Sequence, residues 1–330
     1  MTLPQLGPLS LADLQAAIEP RLGQVETEMR RMIEADFPLI SDVNQHLLRM
    51  RGKMFRPTLV LLADEATGGP SSHGATLAAV IELIHLATLV HDDAVDHSVL
   101  RRGMPTINAL FSHQVSVIMG DFLYSRAVVE LVRFGDLRAL AILARVTNEM
   151  TIGEMRQLLA HDPLAFTEDQ YDLLIKAKTA SLISGACEVG ALCASGRKRV
   201  SLAQFGEKLG MAFQIVDDLL DYTADESLTG KPSGLDLREH KVTLPLIYAL
   251  PRFSVAERRG LALLLQNPAP AEDEIAAVVA SVAQHGGLDQ ARERAQRLVM
   301  QAEDDLNQLP ETAARETLRA SLTYVLDRRR

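Results

Sequence analysis

One run of the chain, Ile81-Glu82-Leu83-Ile84-His85-Leu86-Ala87-Thr88-Leu89-Val90-His91-Asp92-Asp93-Ala94-Val95-Asp96, is apolar and helix-like over most of its length and ends in three aspartates. If the helix continues to the end of the run, Asp92 and Asp96 stand four residues apart on one face. Burying two like charges without compensation is costly, so we expect a cation beside them. Carboxylate oxygens are the ligands that Mg²⁺ prefers. The run therefore predicts a core helix that ends at a metal site.

A second acidic cluster, Asp217-Asp218-Leu219-Leu220-Asp221, also follows an apolar helical run. One such cluster alone is as well explained by a solvated helix end. Two of them, facing each other, would form a carboxylate cage for several Mg²⁺ ions. Because Mg²⁺ usually takes its remaining ligands from water and a substrate phosphate, the pair predicts a diphosphate ligand.

Basic residues flank both acidic clusters. Arg101 and Arg102 follow the first, and adjacent arginines on a loop are suited to binding two separate oxyanions. In Gly52-Lys53-Met54-Phe55-Arg56-Pro57, we expect Lys53 and Arg56 to align on the first turn of a helix, where phosphate binds readily. Lys231 and Lys241 lie in the long polar connection after the second cluster. Each cation alone is most simply a surface charge, but together they predict two diphosphate sites around one metal cage.

The composition limits the class of protein. The chain has 330 residues, of which 47% are hydrophobic and 4% aromatic, so the core must be aliphatic. The net charge of −9 argues against a nucleic-acid-binding surface. Cys187 and Cys193 are the only two cysteines, and the chain has no further Cys or His at the spacing of a zinc site. They lie six residues apart on a predicted helix and point in different directions, so we expect no disulfide between them. The first residues do not resemble a signal peptide, and no run approaches the roughly 20 apolar residues of a membrane span, so we expect a cytoplasmic protein with at most peripheral membrane contact.

Helical patterns follow one another along the whole chain, without paired strands or βαβ alternation. We therefore predict an all-α, single-domain bundle over residues 1–330, with roughly a dozen helices around a central apolar cavity. The predicted helices cover a first helix capped at Ser10 and running to about 35, then 57–66, 74–95, 107–132, 136–159, a helix capped by Thr167, 175–194, a helix capped by Ser201 and ending at 221, one from 243, one capped by Ser254, and three within 271–328. The longest polar connection, 223–240, is the expected functional loop.

These motifs resemble those of the trans-prenyltransferases, the polyprenyl diphosphate synthase family, from about residue 40 to the C-terminus. The resemblance is found in Gly52-Lys53-x-x-Arg56-Pro57, Asp92-Asp93-x-x-Asp96 with Arg101-Arg102-Gly103, Gly120-Asp121, Lys178-Thr179, Phe213-Gln214-x-x-Asp217-Asp218-x-x-Asp221, Gly230-Lys231-Pro232 and Lys241-x-Thr243-Leu244-Pro245. It implies the isoprenoid synthase fold and the Mg²⁺-dependent, head-to-tail (1′–4) condensation of isopentenyl diphosphate with an allylic diphosphate. It also implies three Mg²⁺ ions and a homodimer, with residues 107–132 as the candidate interface.

The resemblance further implies roles for individual residues. Metal ligation falls to Asp92 and Asp96 from one side and Asp217 from the other, with support from Asp93, Asp218 and Asp221. The allylic diphosphate would be held by Arg101, Lys178 and Lys231, and isopentenyl diphosphate by Lys53, Arg56, His85 and Arg102. Lys178, Thr179 and Gln214 would act at the reacting carbons, Lys241 would draw the loop over the site, and the departing diphosphate would be the general base. Two further candidates, Glu154 and Gln157, share one helix face and are expected to line the pocket. The chain departs from the family pattern at Arg51, Met54 and His240, where Gly, Arg and Gly are usual.

The residues one turn before Asp92 bear on the length of the product. A helix rises about 5.4 Å per turn, close to one extended isoprene unit. Ala87 and Thr88 are small where short-chain enzymes of the family have bulky aromatics, so the slot is expected to be open. Its floor is expected to lie deeper, either near the start of the same helix or on the facing segment around residues 117–131. We expect a product of C35–C50, with octaprenyl diphosphate favoured. The alternatives are a farnesyl or geranylgeranyl diphosphate synthase, a non-catalytic subunit of a heteromeric synthase, and a head-to-head synthase or terpene cyclase.

Overall fold

The computed structural model describes residues 9–50, 52–158, 163–192, 196–223 and 234–328. These residues form an all-α structure, as the sequence predicts. The helices of the first half are α1 (Leu11–Gln15), α2 (Glu19–Ile33), α3 (Pro38–Arg49), α4 (Phe55–Ala66), α5 (Gly74–Val95), α6 (Ile107–Leu110), α7 (His113–Phe134) and α8 (Leu137–Leu158). Those of the second half are α9 (Glu168–Ile175), α10 (Ser181–Gly190), α11 (Gly196–Thr223), α12 (Leu235–Arg238), α13 (Leu244–Ala249), α14 (Val255–Gln266), α15 (Glu272–Gln284), α16 (Gly287–Leu306) and α17 (Ala313–Leu326). Several of these helices, among them α1, α6, α12 and α13, are only four to six residues long.

Helix α5 is the centre of the fold. It is apolar on every face, and it packs against α2, α4, α7 and α10. A helix of this length and composition could span a membrane, but 72% of its most apolar window is buried inside the protein. Burial of that extent is typical of a core helix. The C-terminal end of α5 therefore delivers its aspartates to a fixed place in the structure.

The second half of the chain positions the second acidic cluster. Helix α11 ends in that cluster and packs along α10 and α16, while α17 contacts α4 and α11. A smaller apolar cluster is built mainly on α13, α14 and α15 and includes Tyr222 of α11. This packing fixes Asp217 to Asp221 relative to the core. The assignment of residues 1–330 to one domain stays a prediction.

Four details differ from the sequence-based expectations. Helix α3 was not predicted, because Phe37 precedes its first proline and offers no polar cap. The cap predicted at Ser201 was wrong: α11 already begins at Gly196, and the Ser201 hydroxyl donates to the carbonyl of Arg197. The predicted helix 107–132 is two helices, α6 and α7, because Ser112 caps a new one.

The fourth difference is a short antiparallel hairpin formed by β1 (Leu100–Arg101) and β2 (Met104–Pro105). Arg102 and Gly103 turn the chain with φ angles of 53° and 75°. Positive φ at both central residues is the geometry of a tight two-residue turn. This turn separates the side chains of the two adjacent arginines.

Candidate active site

The first acidic motif lies at the C-terminal end of α5. Asp92 is on its last turn and Asp96 caps it, with the Asp96 amide donating to the Asp92 carbonyl at 2.8 Å. The Asp93 carboxylate instead accepts two hydrogen bonds from Arg101 Nε, at 2.8 and 2.9 Å. The carboxylate of Asp93 is thus paired within the protein, whereas Asp96 lines the adjacent cavity. The metal-binding roles of these aspartates stay a prediction.

The second acidic motif divides in the same manner. Asp221 accepts the backbone amides of Leu235 and Asp236, at 3.0 and 3.1 Å, and so fixes the start of α12. Asp218 is buried and accepts two side-chain hydrogen bonds. Asp217 is about half exposed and forms an ion pair with Arg328. Of the three aspartates, Asp217 is the one whose carboxylate is accessible to a ligand.

Both motifs border one cavity of about 580 Å³. Its lining comprises Asp96, Ser98, Gln157, Pro163, Phe166, Tyr171, Leu174, Ile175, Lys178, Thr179, Gln214, Asp218, Asp236, Glu239, His240, Lys241, Val242 and Thr243. This space carries polar groups along the acidic motifs and apolar side chains such as Phe166, Leu174 and Ile175 elsewhere on its wall. Such a cavity suits a ligand with a charged head and a hydrocarbon tail.

The pKa values of three aspartates in this region are raised above their usual range. Burial raises the pKa of Asp92 to about 6, that of Asp236 to about 7 and that of Asp218 to about 8. Neighbouring carboxylates add to each shift. Among the described residues, no three His, Cys, Asp or Glu side chains converge closely enough to hold an ion by themselves. The carboxylates fit divalent cations that take further ligands from a bound phosphate.

Lys178 lies on a π-helical turn, Lys176–Ala180, between α9 and α10. Its ammonium donates to Glu154 at 3.0 Å and to Gln157 at 3.1 Å, so both residues of α8 lie at the site, as expected. Gly153 permits this approach, because a Cβ there would be 2.9 Å from that of Ala177. The π turn and α8 together direct the Lys178 ammonium into the cavity.

Lys241 also borders the cavity, where it donates to Glu239 at 2.6 Å. Burial lowers its pKa, but Glu239, Asp236 and Asp96 outweigh that effect and raise it. Lys241 therefore links the connection after α12 electrostatically to the first motif. Lys231, the remaining predicted ligand of the allylic diphosphate, lies outside the described residues.

Thr179 and Gln214 are in direct contact at the cavity wall. The Thr179 hydroxyl donates to Gln214 Oε1 at 2.8 Å, and Gln214 Nε2 donates to Asp218 Oδ1 at 2.8 Å. Tyr171 Oη donates to the other oxygen of Asp218 at 2.5 Å. The sequence predicted Thr179 and Gln214 but missed Tyr171, which reaches them only through the tertiary packing of α9 on α11.

The predicted site for the second diphosphate is built from α4, α5 and the hairpin. Arg56 Nη1 donates to His85 Nε2 at 3.1 Å. Burial lowers the pKa of His85 well below its usual value, and the nearby guanidiniums lower it further, so the ring is neutral. Since arginine can only donate, His85 Nε2 is the acceptor and the ring proton is on Nδ1.

Arg102 completes this second cluster of cations. Arg102 Nη1 donates to the Met50 carbonyl at 2.8 Å, and its guanidinium packs so closely on Gly52 that a Cβ there would be 2.9 Å from Nη2. The expected alignment of Lys53 with Arg56 on one helical turn was wrong, because α4 begins at Phe55 and Lys53 precedes it. Tertiary contacts, and not helical spacing, bring this cluster together.

Arg328, at the end of the described residues, was not predicted as a site residue. Its guanidinium lies 3.1 Å from Asp217 and 4.1 Å above the ring of Phe213. The side chain is 11% exposed, and its Nε and Nη1 atoms are buried without a hydrogen-bond partner among the described residues. Arg56 Nε is buried in the same condition. These donors are unused hydrogen-bonding capacity, which an anion that reached them would satisfy.

Comparison with known proteins decides the family. The family model for polyprenyl synthetase matches residues 37–282. The octaprenyl diphosphate synthase of Haemophilus influenzae is 35% identical over 319 residues, covering 96% of each chain. This chain belongs to the polyprenyl synthetase family. It is accordingly a prenyltransferase that uses isoprenyl diphosphate substrates.

Other members of the polyprenyl synthetase family are similar over nearly their whole length. Heptaprenyl diphosphate synthase component 2 of Geobacillus stearothermophilus is 34% identical over 321 residues, covering 96% of this chain and 98% of that protein. The crystal structure of a polyprenyl synthase from Caulobacter crescentus, complexed with calcium and isoprenyl diphosphate, is 33% identical and superposes with a TM-score of 0.92. The match covers 98% of this chain and 100% of that one.

Proposed function

We propose that this polyprenyl synthetase condenses isopentenyl diphosphate head-to-tail with an allylic diphosphate, repeatedly, to form an all-trans product of C35–C50. The observation that supports this most directly is the presence of two separate clusters of cations beside one acidic cavity. Lys178 and Lys241 border the cavity itself, whereas Arg56, Arg102 and His85 lie together where α4, α5 and the hairpin meet. Two clusters suit two diphosphates.

The proposed reaction begins with heterolysis of the allylic C1–O bond, whose electron pair leaves on the diphosphate. The C3–C4 π electrons of isopentenyl diphosphate then form the new bond to C1, and a C2 proton passes to a diphosphate oxygen. Asp92, Asp96 and Asp217 would hold magnesium, proposed as three ions, which when bound supplies Lewis-acid neutralisation of the leaving group. Lys178 and Arg101 would orient that diphosphate, and Thr179 and Gln214 would face the positive carbon.

The proposed product length rests on α5. Ala87 is the small residue one turn before Asp92, and it is 3% exposed. Its neighbours along the helix, including Ile84 and Val80, are buried against α7 and α10. A growing chain would therefore enter by parting aliphatic side chains along α5, because neither Ala87 nor Thr88 places an aromatic ring one turn before Asp92. Long-chain relatives of seven and eight units agree with this length.

We also propose a cytoplasmic homodimer. Helix α7 exposes a set of large apolar side chains, namely Val117, Ile118, Tyr124, Val129 and Val132. Asp121 and Ser125 interrupt this face, but so many exposed apolar side chains on one helix suit contact with a second copy of the chain. Component 2 of the heptaprenyl synthase is by name part of a heteromeric enzyme, so a different partner on this face is the alternative.

Incubation of the purified protein with radiolabelled isopentenyl diphosphate, farnesyl diphosphate and Mg²⁺ tests the proposal. We expect label in an acid-labile product of seven to ten units, and none when EDTA is present. A product of three or four units would support the short-chain alternative, and no incorporation would support a non-catalytic subunit. Conversion of farnesyl diphosphate without label would support a cyclase or head-to-head synthase.

A further inference from the structure

A directional chain of hydrogen bonds runs along the wall of the cavity. It begins at Tyr171, whose hydroxyl donates to Asp218 Oδ2 at 2.5 Å. Gln214 Nε2 donates to Asp218 Oδ1 at 2.8 Å, and Thr179 Oγ1 donates to Gln214 Oε1 at 2.8 Å. All four residues border the cavity. We call this set, Tyr171, Asp218, Gln214 and Thr179, the Tyr171 chain.

The polarity of the Tyr171 chain is set at its buried end. Asp218 Oδ1 accepts, so the amide nitrogen of Gln214 must face it and the amide oxygen must face Thr179. An amide oxygen cannot donate, so the Thr179 hydroxyl has to give its proton to Gln214. The lone pairs of Thr179 Oγ1 are then directed away from Gln214. This order does not depend on the charge of Asp218, because a proton on Oδ2 could be donated to the Tyr171 oxygen while Oδ1 still accepts.

Tyr171 is the residue that holds Asp218 in this orientation. Its side chain is 2% exposed, and its hydroxyl, the one polar group of the side chain, is hydrogen-bonded to Asp218. Asp218 is itself buried, so loss of the tyrosine hydroxyl would leave a carboxyl oxygen without that partner. A buried unsatisfied oxygen is costly and would be relieved by rotation of the carboxyl group. Such a rotation would release Gln214, whose amide could then reverse.

We propose that Tyr171 is a positioning residue, which acts through Asp218 and Gln214 to hold the Thr179 hydroxyl with its lone pairs towards the carbon that becomes positive. A fixed oxygen lone pair stabilises a carbocation, whereas an O–H bond pointing at it would oppose ionisation. The inference rests on the proposed function, because it requires a cationic carbon in the cavity. It adds a residue on α9 whose hydroxyl is paired with Asp218 and which acts by orienting the Thr179 hydroxyl.

Tyr171→Phe tests this inference, because it removes the hydroxyl and keeps the ring. We expect kcat for condensation to fall on the order of tenfold or more, with KM for both diphosphates nearly unchanged. The discriminating measurement is calorimetric binding of two inert allylic analogues in the presence of Mg²⁺. One is a thiodiphosphate with an uncharged chain, and the other has an ammonium nitrogen at the position of the cationic carbon. The variant should bind the ammonium analogue on the order of tenfold more weakly and the uncharged analogue normally.

Tyr248→Phe is the matched control. Tyr248 donates to Glu168 at 2.6 Å, which is a comparable tyrosine–carboxyl contact, but it is not among the residues that border the cavity. We expect this variant to bind both analogues as the unmodified protein does. If Tyr171→Phe does not fold, the same measurements are made on Asp218→Asn. An amide at position 218 can donate a hydrogen bond to Gln214 and so turn the Gln214 amide to the opposite orientation.

Equal affinity changes for the two analogues, or none, would overturn the inference. The failure of the proposed function is distinguishable from this result. If the unmodified protein does not incorporate isopentenyl diphosphate into a longer chain, the function itself is wrong. If it does, and Tyr171→Phe still prefers the ammonium analogue to the normal extent, only the role of Tyr171 is wrong.

Discussion

The guanidinium of Arg328 lies 3.1 Å from the carboxylate of Asp217 and stacks on Phe213, so the end of the described chain covers the exposed aspartate of the second acidic motif. The same guanidinium has two buried donors without partners among the described residues. Arg328 therefore competes with a metal for Asp217 and, at the same time, offers hydrogen bonds to an anion.

Replacing Arg328 by glutamine is expected to have opposite effects on these two ligands. Ca²⁺ should bind the substrate-free protein a few-fold more tightly, because Asp217 loses a competing cation. Isopentenyl diphosphate should bind on the order of tenfold more weakly, because charge-assisted donors are lost. Calorimetric titration measures both. Arg319→Gln is the control, since Arg319 pairs with Glu303 and Glu316 on the surface; identical behaviour of the two variants would refute the prediction.

The raised pKa of Asp92 predicts a pH-dependent cost in stability. The folded pKa of about 6 exceeds the usual 3.8, so folding favours the protonated form. Stability of the metal-free protein should therefore fall as pH rises from about 4 through about 6 and remain lower above it, by at most about 3 kcal/mol. In EDTA, Asp92→Asn should be more stable than the unmodified protein at pH 7.5, and the difference should vanish near pH 4.

Urea denaturation across that pH range, followed by circular dichroism, measures the effect. Asp121→Asn, which alters a largely exposed carboxylate on α7, provides the comparison. A stability of Asp92→Asn at or below that of the unmodified protein at pH 7.5 would show that burial does not strain this carboxylate.

The cluster of Arg56, Arg102 and His85 should serve one substrate only. Arg56→Gln removes the donor to His85 and a buried positive charge. We expect KM for isopentenyl diphosphate to rise more than about tenfold, with little change in KM for the allylic substrate. Lys178→Met should show the reverse pattern, since Lys178 borders the cavity between the acidic motifs. Parallel changes in both constants for either variant would mean that the two clusters do not define separate sites.

The length of the product should respond to bulk one turn before Asp92. Ala87→Phe would place an aromatic ring where a growing chain has to pass, so the product should shorten to three or four units. Over-packing should also cost about 1–3 kcal/mol of stability, which a thermal melt will register. Chromatography of the dephosphorylated products gives the length. An unchanged distribution from a folded, active variant would refute the proposed path along α5.

Much of this architecture could be predicted from the sequence because it is encoded locally. The bounds of α5 follow from its continuous apolar run, and the two acidic motifs follow from their spacing at the ends of helices. The caps at Thr167 and Ser254 were predicted because a hydroxyl and a Gln or Glu three residues later form a reciprocal pair. Ser201 has the same local pattern, yet α10 packs beside α11 there and the helix continues through it.

The rest of the site depends on contacts between distant segments. Tyr171 and Asp218 are 47 residues apart in the sequence, and no local sequence pattern predicts that they pair. Arg328 resembles any basic residue near a chain end until the packing of α17 brings it onto Phe213. The different contacts of the aspartates within each motif also depend on distant residues. Arg101 binds Asp93, and the backbone at the start of α12 binds Asp221. These roles become visible only in three dimensions.

The central claim is that both acidic motifs act on one diphosphate in one cavity. A crystal structure with Mg²⁺, isopentenyl diphosphate and a non-cleavable allylic thiodiphosphate tests it most directly. We predict that Asp92 and Asp217 approach the same thiodiphosphate from opposite sides through bound metal, with isopentenyl diphosphate against Arg56 and Arg102. A thiodiphosphate bound elsewhere, or metal at one motif alone with the other still held by Arg328, would contradict the account.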